Sequence, residues 1–121
     1  MNVREIIEAY FTFLNSGEWD KWADLFDNNA IVDDMSNISK GKEAIRKSVD
    51  TIQQALPKFK NHLREIVVDG NKAMVVCEIE ATTRKGTSLI SKGANYYEIK
   101  GGKITYMASF HDSAHFTKAF Q

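Results

Sequence analysis

Two adjacent carboxylates, Asp33 and Asp34, close the short apolar run Ala30-Ile31-Val32. A strand carried into a core by branched side chains has little structural use for two acids at its end. Side chains alternate along a strand, so one acid turns inward and the other toward solvent. The alternation groups Asp34 with Val32 and Asp33 with Ile31, and does not by itself choose between them. A carboxylate held among apolar groups loses hydration, its pKa rises, and it can then carry a proton near neutral pH. The plainer alternative is a pair of strand-end acids beside a loop.

Three further residues could work with such a base. Tyr10 lies on the apolar face of the first helical pattern; the default for it is a core tyrosine whose hydroxyl finds a backbone carbonyl. Asn95 shares a strand face with Gly93, Tyr97 and Ile99, and an interior amide donates a hydrogen bond at any pH, although it can equally bridge strands. His111 opens the run His111-Asp112-Ser113-Ala114-His115. Two histidines four apart chelate a metal on a helix, but the first of these ends a strand and a third ligand is missing. No metal is therefore expected, and His111 reads as a second titrating group opposite Asp34. His62 reads as a surface strand residue and Cys77 as a buried filler. The chain has no phosphate-binding glycine loop, nucleophile elbow or dinucleotide fingerprint, so no cofactor is expected.

The elements that must position these groups are legible from periodicity. Val3, Ile6, Ile7, Tyr10, Phe13 and Leu14 recur at helical spacing, and Asn15-Ser16-Gly17 stops that helix. Trp19, Trp22, Ala23, Leu25 and Phe26 predict a second, short helix, followed by turn chemistry at Asp27-Asn28-Asn29 and a strand over Ala30–Asp34. A polar loop is expected from Ser36 to Lys40. A third helix follows Gly41, carries Ile45, Val49, Ile52 and Leu56 on one face, and ends at Pro57. Four strands are then predicted, over 63–68, 73–83, 88–99 and 104–111, separated by Asp69-Gly70-Asn71, Arg84-Lys85-Gly86 and Lys100-Gly101-Gly102. Helices followed by a meander describe a single α+β domain over residues 1–121.

The segment Ala9–Asp34, the GKEAIR run at 41–46 and the stretch Tyr97–Met107 resemble the ketosteroid isomerase and SnoaL-like branch of the nuclear transport factor 2-like superfamily. The resemblance implies three N-terminal helices packed in the concave face of a strongly bent antiparallel sheet, a cone-shaped cystatin-like α+β barrel with an apolar pocket at its open end. It also implies roles. The oxyanion-donating tyrosine falls on Tyr10 and the general-base aspartate on Asp34, with no insertion or deletion between them. The second oxyanion donor, a protonated aspartate in the isomerases, falls on Asn95. Met107 and His111 fall on pocket-wall positions, and Trp22, Phe26 and Val49 complete the expected substrate-binding set. Val49 stands where an isomerase has a supporting tyrosine, and Met35 where a proline follows the base.

The implied function is a small-molecule pocket of SnoaL-like type, an isomerase- or cyclase-like enzyme moving a proton next to a carbonyl. The alternative is a non-catalytic ligand-binding or dimerisation module on the same fold. A third reading, epoxide hydrolysis, needs an arginine that Arg46 or Arg64 would have to supply. Composition narrows the partners. Of 121 residues, 16 are Lys or Arg and 16 are Asp or Glu, leaving no basic field for nucleic acid. No apolar run approaches the ~20 residues of a membrane span. The N-terminus lacks signal-peptide character and one cysteine cannot form an internal disulfide, so a cytoplasmic location is expected. An apolar small-molecule ligand is the expected partner. The outer sheet face, with Met74, Val76 and Tyr106, is expected to pair two copies into a homodimer. Phe116 and Phe120, four apart, are expected to close over the pocket mouth or pack on the partner copy.

Overall fold

The computed structural model describes residues 1–35 and 37–121. Helix α1 (Val3–Ser16) is set at both ends by its sequence. The Asn2 side chain accepts from the Glu5 backbone N–H while the Glu5 carboxylate accepts from that of Asn2, at 2.8 and 2.9 Å. This reciprocal cap satisfies two otherwise orphaned donors. At the other end Gly17 closes the helix at φ 73°, a left-handed conformation that costs glycine little. Between the caps, Ile6, Ile7, Tyr10, Phe11 and Leu14 are buried, which fixes Tyr10 to the interior face. The Asn15 amide then behaves like a neighbouring strand: it donates to the Asn61 carbonyl and accepts from the Asn61 N–H, both at 2.8 Å.

Helix α2 (Trp19–Ala23) and helix α3 (Lys42–Ala55) complete the helical layer. The strands are β1 (Phe26–Asp34), β2 (Asn37–Lys40), β3 (Lys58–Asp69), β4 (Lys72–Thr82), β5 (Ser88–Lys100) and β6 (Lys103–His111), with a last helix α4 (Ser113–Ala119). They form one bent, unclosed sheet in the order β2-β1-β6-β5-β4-β3. Tyr10, Leu14, Phe26, Ile45, Val49, Val75, Ile79 and Tyr97 are all buried in its concave side, as their patterning requires.

Several expectations are corrected. The sheet is mixed, because β1 runs parallel to β6 while every other pairing is antiparallel. Hairpin turns dictate direction only between consecutive strands, and no turn joins β1 to β6. Phe26 begins β1 and is not part of α2: the Leu25 carbonyl already accepts from Ile104 N–H at 2.8 Å, so sheet pairing overrides the helical pattern. The Asp27-Asn28-Asn29 segment is absorbed as an irregularity in the β1–β6 register between Phe26 and Ile31. The expected polar loop is in fact largely a strand. Residues Asn37–Lys40 pair with β1 as an edge strand whose polarity reflects solvent exposure, and Ser36 lies outside the described residues. A fourth helix, α4, follows the sheet. No helix among the described residues is long and apolar enough to cross a membrane.

Candidate functional site

The concave face of the sheet, α1–α3 and the tail enclose a cavity of about 250 Å3. Its wall is mostly apolar, with Leu14, Val32, Val49, Ile52, Phe59, Ile79 and Met107 prominent. Among the described residues Asp34 is the one acid in the lining, and the lining includes no lysine or arginine. Strand alternation sends Val32 and Asp34 inward and leaves Asp33 on the outer face, where its carboxylate lies 3.4 Å from the Tyr106 hydroxyl. Burial raises the Asp34 pKa above the ordinary 3.8, and the neighbouring Asp33 charge raises it further. Among the described residues no side-chain hydrogen bond or ion pair reaches the Asp34 carboxylate, and desolvation is the main cause of its shift.

Tyr10 enters from α1 and is held by rings. Its centroid lies 5.3 Å from Tyr97, 5.7 Å from Trp22 and 5.0 Å from Phe11. Burial moves its hydroxyl well above the ordinary tyrosine pKa, with the Asp34 charge adding to the effect. It is therefore a neutral donor throughout the physiological range. Asn95, fully buried on β5, donates through Nδ2 to the Tyr97 hydroxyl at 3.0 Å, while its Oδ1 is buried without a partner. Tyr97 thus touches both residues that the sequence singled out, Tyr10 through its ring and Asn95 through its hydroxyl.

His111 closes the far side. Its Nδ1 lies 3.1 Å from Ser91 Oγ, its ring packs edge-on against Phe116 at 6.0 Å, and its Nε2 is buried without a partner. Burial lowers its pKa below the ordinary 6.5 and favours the neutral ring. The strand register sets Gly93 opposite His111, and a Cβ at position 93 would overlap the imidazole and the Phe110 carbonyl. Glycine is what lets the ring lie flat against β5.

Among the described residues, the buried side-chain N and O atoms lacking a partner belong to Trp19, Trp22, Asn61, Asn95 and His111. All five residues line this one cavity. An unpaired buried polar atom costs about 1–3 kcal/mol, so the residues that carry this cost are concentrated in one place. Four larger depressions, of about 560, 670, 350 and 290 Å3, contain none of these residues. The second holds the Lys42–Asp24 and Arg46–Asp20 ion pairs at 2.8 and 3.1 Å, whose charges already have partners.

Of the expected site residues, Asp34, Tyr10, Asn95, His111, Met107, Trp22 and Val49 are brought to this cavity. Phe26 is not in its lining; it starts β1 behind Trp22, with the two rings 4.9 Å apart. Neither arginine named for epoxide hydrolysis reaches the cavity: Arg46 pairs with Asp20 and Asp50, and Arg64 with Glu78. Phe116 on α4 and Phe120 just past its end both line the cavity, and the first turn of α4 is capped by the Asp112 carboxylate accepting from Ala114 N–H. Cys77 is fully buried outside the lining, with its thiol pushed up to about 11 by burial, so it stays protonated. Sequence reasoning missed Ser91, Tyr97, Asn61 and Trp19. For the first two a signal existed: Ser91, Asn95 and Tyr97 follow the period-2 pattern of the buried face of β5.

The fold is thus a bent, unclosed mixed sheet with helices in its hollow and a mostly apolar cavity between them. Residues 7–107 match the SnoaL-like domain family, and the chain belongs to that family. No curated protein matches this chain in sequence. Solved structures that share its fold include TerC, co-crystallised with polyporic acid: 16% identity, TM-score 0.90, covering 97% of this chain and 96% of that one. A nuclear transport factor 2-like protein of unknown function from Burkholderia pseudomallei superposes with TM-score 0.93 at 9% identity, over 98% and 97% of the two chains. A protein from Pseudomonas putida assigned to the polyketide cyclases does so with TM-score 0.85 at 17% identity, over 98% of each.

Proposed function

We propose that the cavity binds a compact, largely apolar ring compound bearing oxygen atoms, and that Asp34 moves a proton on a carbon next to a carbonyl. One observation carries the reading: among the described residues, a carboxylate with a raised pKa is the only charged group lining an apolar cavity, which also gathers the residues with unsatisfied buried polar atoms. Raised carboxyl pKa values in clefts accompany general-base chemistry. The Asp34 carboxylate would take the proton as the C–H bond breaks, and the electron pair would pass into the carbonyl to form an enolate. Asp34 would then return the proton to another carbon, or to the same carbon after the skeleton has rearranged.

The developing oxyanion needs donors, and Tyr10 is one. Asn95 becomes the second if its amide turns over: the Tyr97 hydroxyl then donates to Oδ1, and Nδ2 occupies the place of the present unpartnered oxygen. Each such donor contributes on the order of 3 kcal/mol to the barrier. The family and the co-crystal of TerC with polyporic acid support a small organic ligand. A cavity of about 250 Å3 suits one or two rings better than a larger polycycle.

The reading extends to assembly and location. Outward residues of three adjacent strands, Met74 and Val76 on β4, Ala94 and Tyr96 on β5, and Phe110 on β6, are neighbours in the register and form an apolar band. We assign this band to a two-fold contact between copies; a monomer in sedimentation at high micromolar concentration would refute it. The lone reduced cysteine favours the cytoplasm.

The two tryptophans of the chain both line the cavity, so their fluorescence reports occupancy directly. Titrating one- and two-ring ketones, phenols and quinones should quench it in the wild type. Asp34→Asn should retain that quenching while eliminating solvent deuterium exchange at the carbon beside the carbonyl of a bound ketone. If exchange persists in Asp34→Asn, Asp34 is not the base. If ligands bind but no exchange occurs in either protein, the cavity is a binding module only.

A further inference from the structure

Ser91 lies fully buried on β5, and its hydroxyl makes a single hydrogen bond among the described residues, to His111 Nδ1. A neutral imidazole carries its proton on one nitrogen, and the partner of one nitrogen decides what the other presents. Two arrangements satisfy the 3.1 Å contact. If Nδ1–H donates to Ser91 Oγ, the serine proton is left buried with no acceptor. If Ser91 O–H donates to Nδ1, the serine is satisfied and the ring proton sits on Nε2. Each arrangement leaves one buried donor unmet: the first on Ser91, in the sheet interior away from the cavity, the second on His111, a residue of the cavity lining. The orphan that no occupant of the cavity can approach is the costlier one.

We propose that Ser91 is a positioning residue that holds His111 as the Nε2-protonated tautomer, so that the imidazole offers the cavity a hydrogen-bond donor and not a second base. Gly93 makes this possible by leaving room for the Nδ1–Cε1 edge against β5, and Phe116 closes the other side of the ring. With Tyr10, the neutral ring gives the cavity uncharged donors beside one carboxylate, all three residues belonging to the lining. Such a set recognises a neutral ligand with several acceptor oxygens and disfavours a ligand that is itself an anion. The use of this tautomer rests on the reading of the cavity as a ligand site, but the tautomer itself is measured without ligand. The two can therefore fail separately.

The chain has three histidines, so long-range 1H–15N correlation spectra of uniformly labelled protein are simple, and a His111→Gln variant assigns the signals. Above the titration of the ring, His111 should show the shift pattern of the Nε2–H tautomer. Ser91→Ala should move the tautomer ratio toward Nδ1–H by about fivefold, the equivalent of one net hydrogen bond. Ser91→Thr, which keeps the hydroxyl, should restore the wild-type ratio. A wild-type His111 found mainly as Nδ1–H, or a ratio that Ser91→Ala leaves unchanged, would overturn the proposal. The wild-type spectrum decides the first point whatever the variants do.

Discussion

Two parts of one core obey opposite rules. Away from the cavity, Ile6, Ile7, Phe11, Val75, Ile99 and Ile104 are packed at 0–4% exposure, with no unsatisfied polar atom among them. Around the cavity, further along the same helices and strands, stand all the residues among those described that carry an unpartnered buried side-chain N or O atom. The sealed part is where apolar burial stabilises the fold, at about 25 cal/mol per Å2. The lining forgoes some of that stability. The contrast teaches that stability and recognition have been assigned to different ends of the same elements, and substitutions should separate them.

The largest separation is expected at Asp34. Asp34→Asn should lower any proton-transfer rate by about 10^2–10^4-fold, the usual contribution of a positioned base. The fold should persist, and stability at neutral pH should rise because a desolvated charge is gone. A loss of cooperative unfolding in this variant would blur the division between the two regions. The converse substitution is Ile104→Ala, at a site with no solvent exposure. It should cost about 2–5 kcal/mol in denaturant titrations and leave ligand-induced tryptophan quenching intact in the folded fraction.

Gly93→Ala tests the border between the regions. Its Cβ would overlap both the His111 ring and the Phe110 carbonyl, so β6 or the ring must move. A cost of about 1–3 kcal/mol is expected, together with a changed His111 environment in the NMR spectrum. An unchanged spectrum would mean that the ring does not depend on that space. Smaller still is Met35→Gly. Met35 follows Asp34 at φ 52°, where a side chain is strained, so glycine should stabilise the protein by up to about 1 kcal/mol.

The pH dependence sharpens the comparison further. Asp34 has a raised pKa, so the folded state holds its proton more tightly than the unfolded chain. Its contribution to stability therefore falls as pH climbs from the ordinary 3.8 through the raised value. His111 has a lowered pKa, so the unfolded chain binds its proton more readily. Its contribution is lost as pH falls below the ordinary 6.5 toward the lowered value. Asp34→Asn should flatten the first trend and His111→Gln the second, each read from unfolding midpoints across pH.

The sequence carried much of this. Helical and strand periodicity placed α1, α3 and the strands β4–β6 to within a few residues, because each has one buried face with no competing signal, whereas β3 starts at Lys58, well before the expected 63. It failed where tertiary pairing overrode local pattern. Phe26 read as helical but is drawn into β1 by its pairing with β6, and Asn37–Lys40 read as loop because an edge strand need not be apolar. The choice between Asp33 and Asp34 was open in the alternation and is settled by which face of β1 meets the helices. Asn95 was visible as an interior amide, but its engagement with Tyr97 was not, since a side-chain hydrogen bond has no periodic signature. Ser91 is a small polar residue in a buried strand, and only the register against His111 gives it meaning.

The parallel pairing of β1 with β6 also has a consequence in time. Asp34 aligns with Ser109, so the carboxylate reaches its place only when two strands far apart in the chain come together without a hairpin to guide them. Closing so long a loop costs entropy that local contacts in the β3–β6 meander do not incur. The meander and α1 are thus expected to gather first, with β1 docking late along the exposed edge of β6. A nascent chain would carry its acid in water, fully ionised and harmless, until the final docking step dehydrates it.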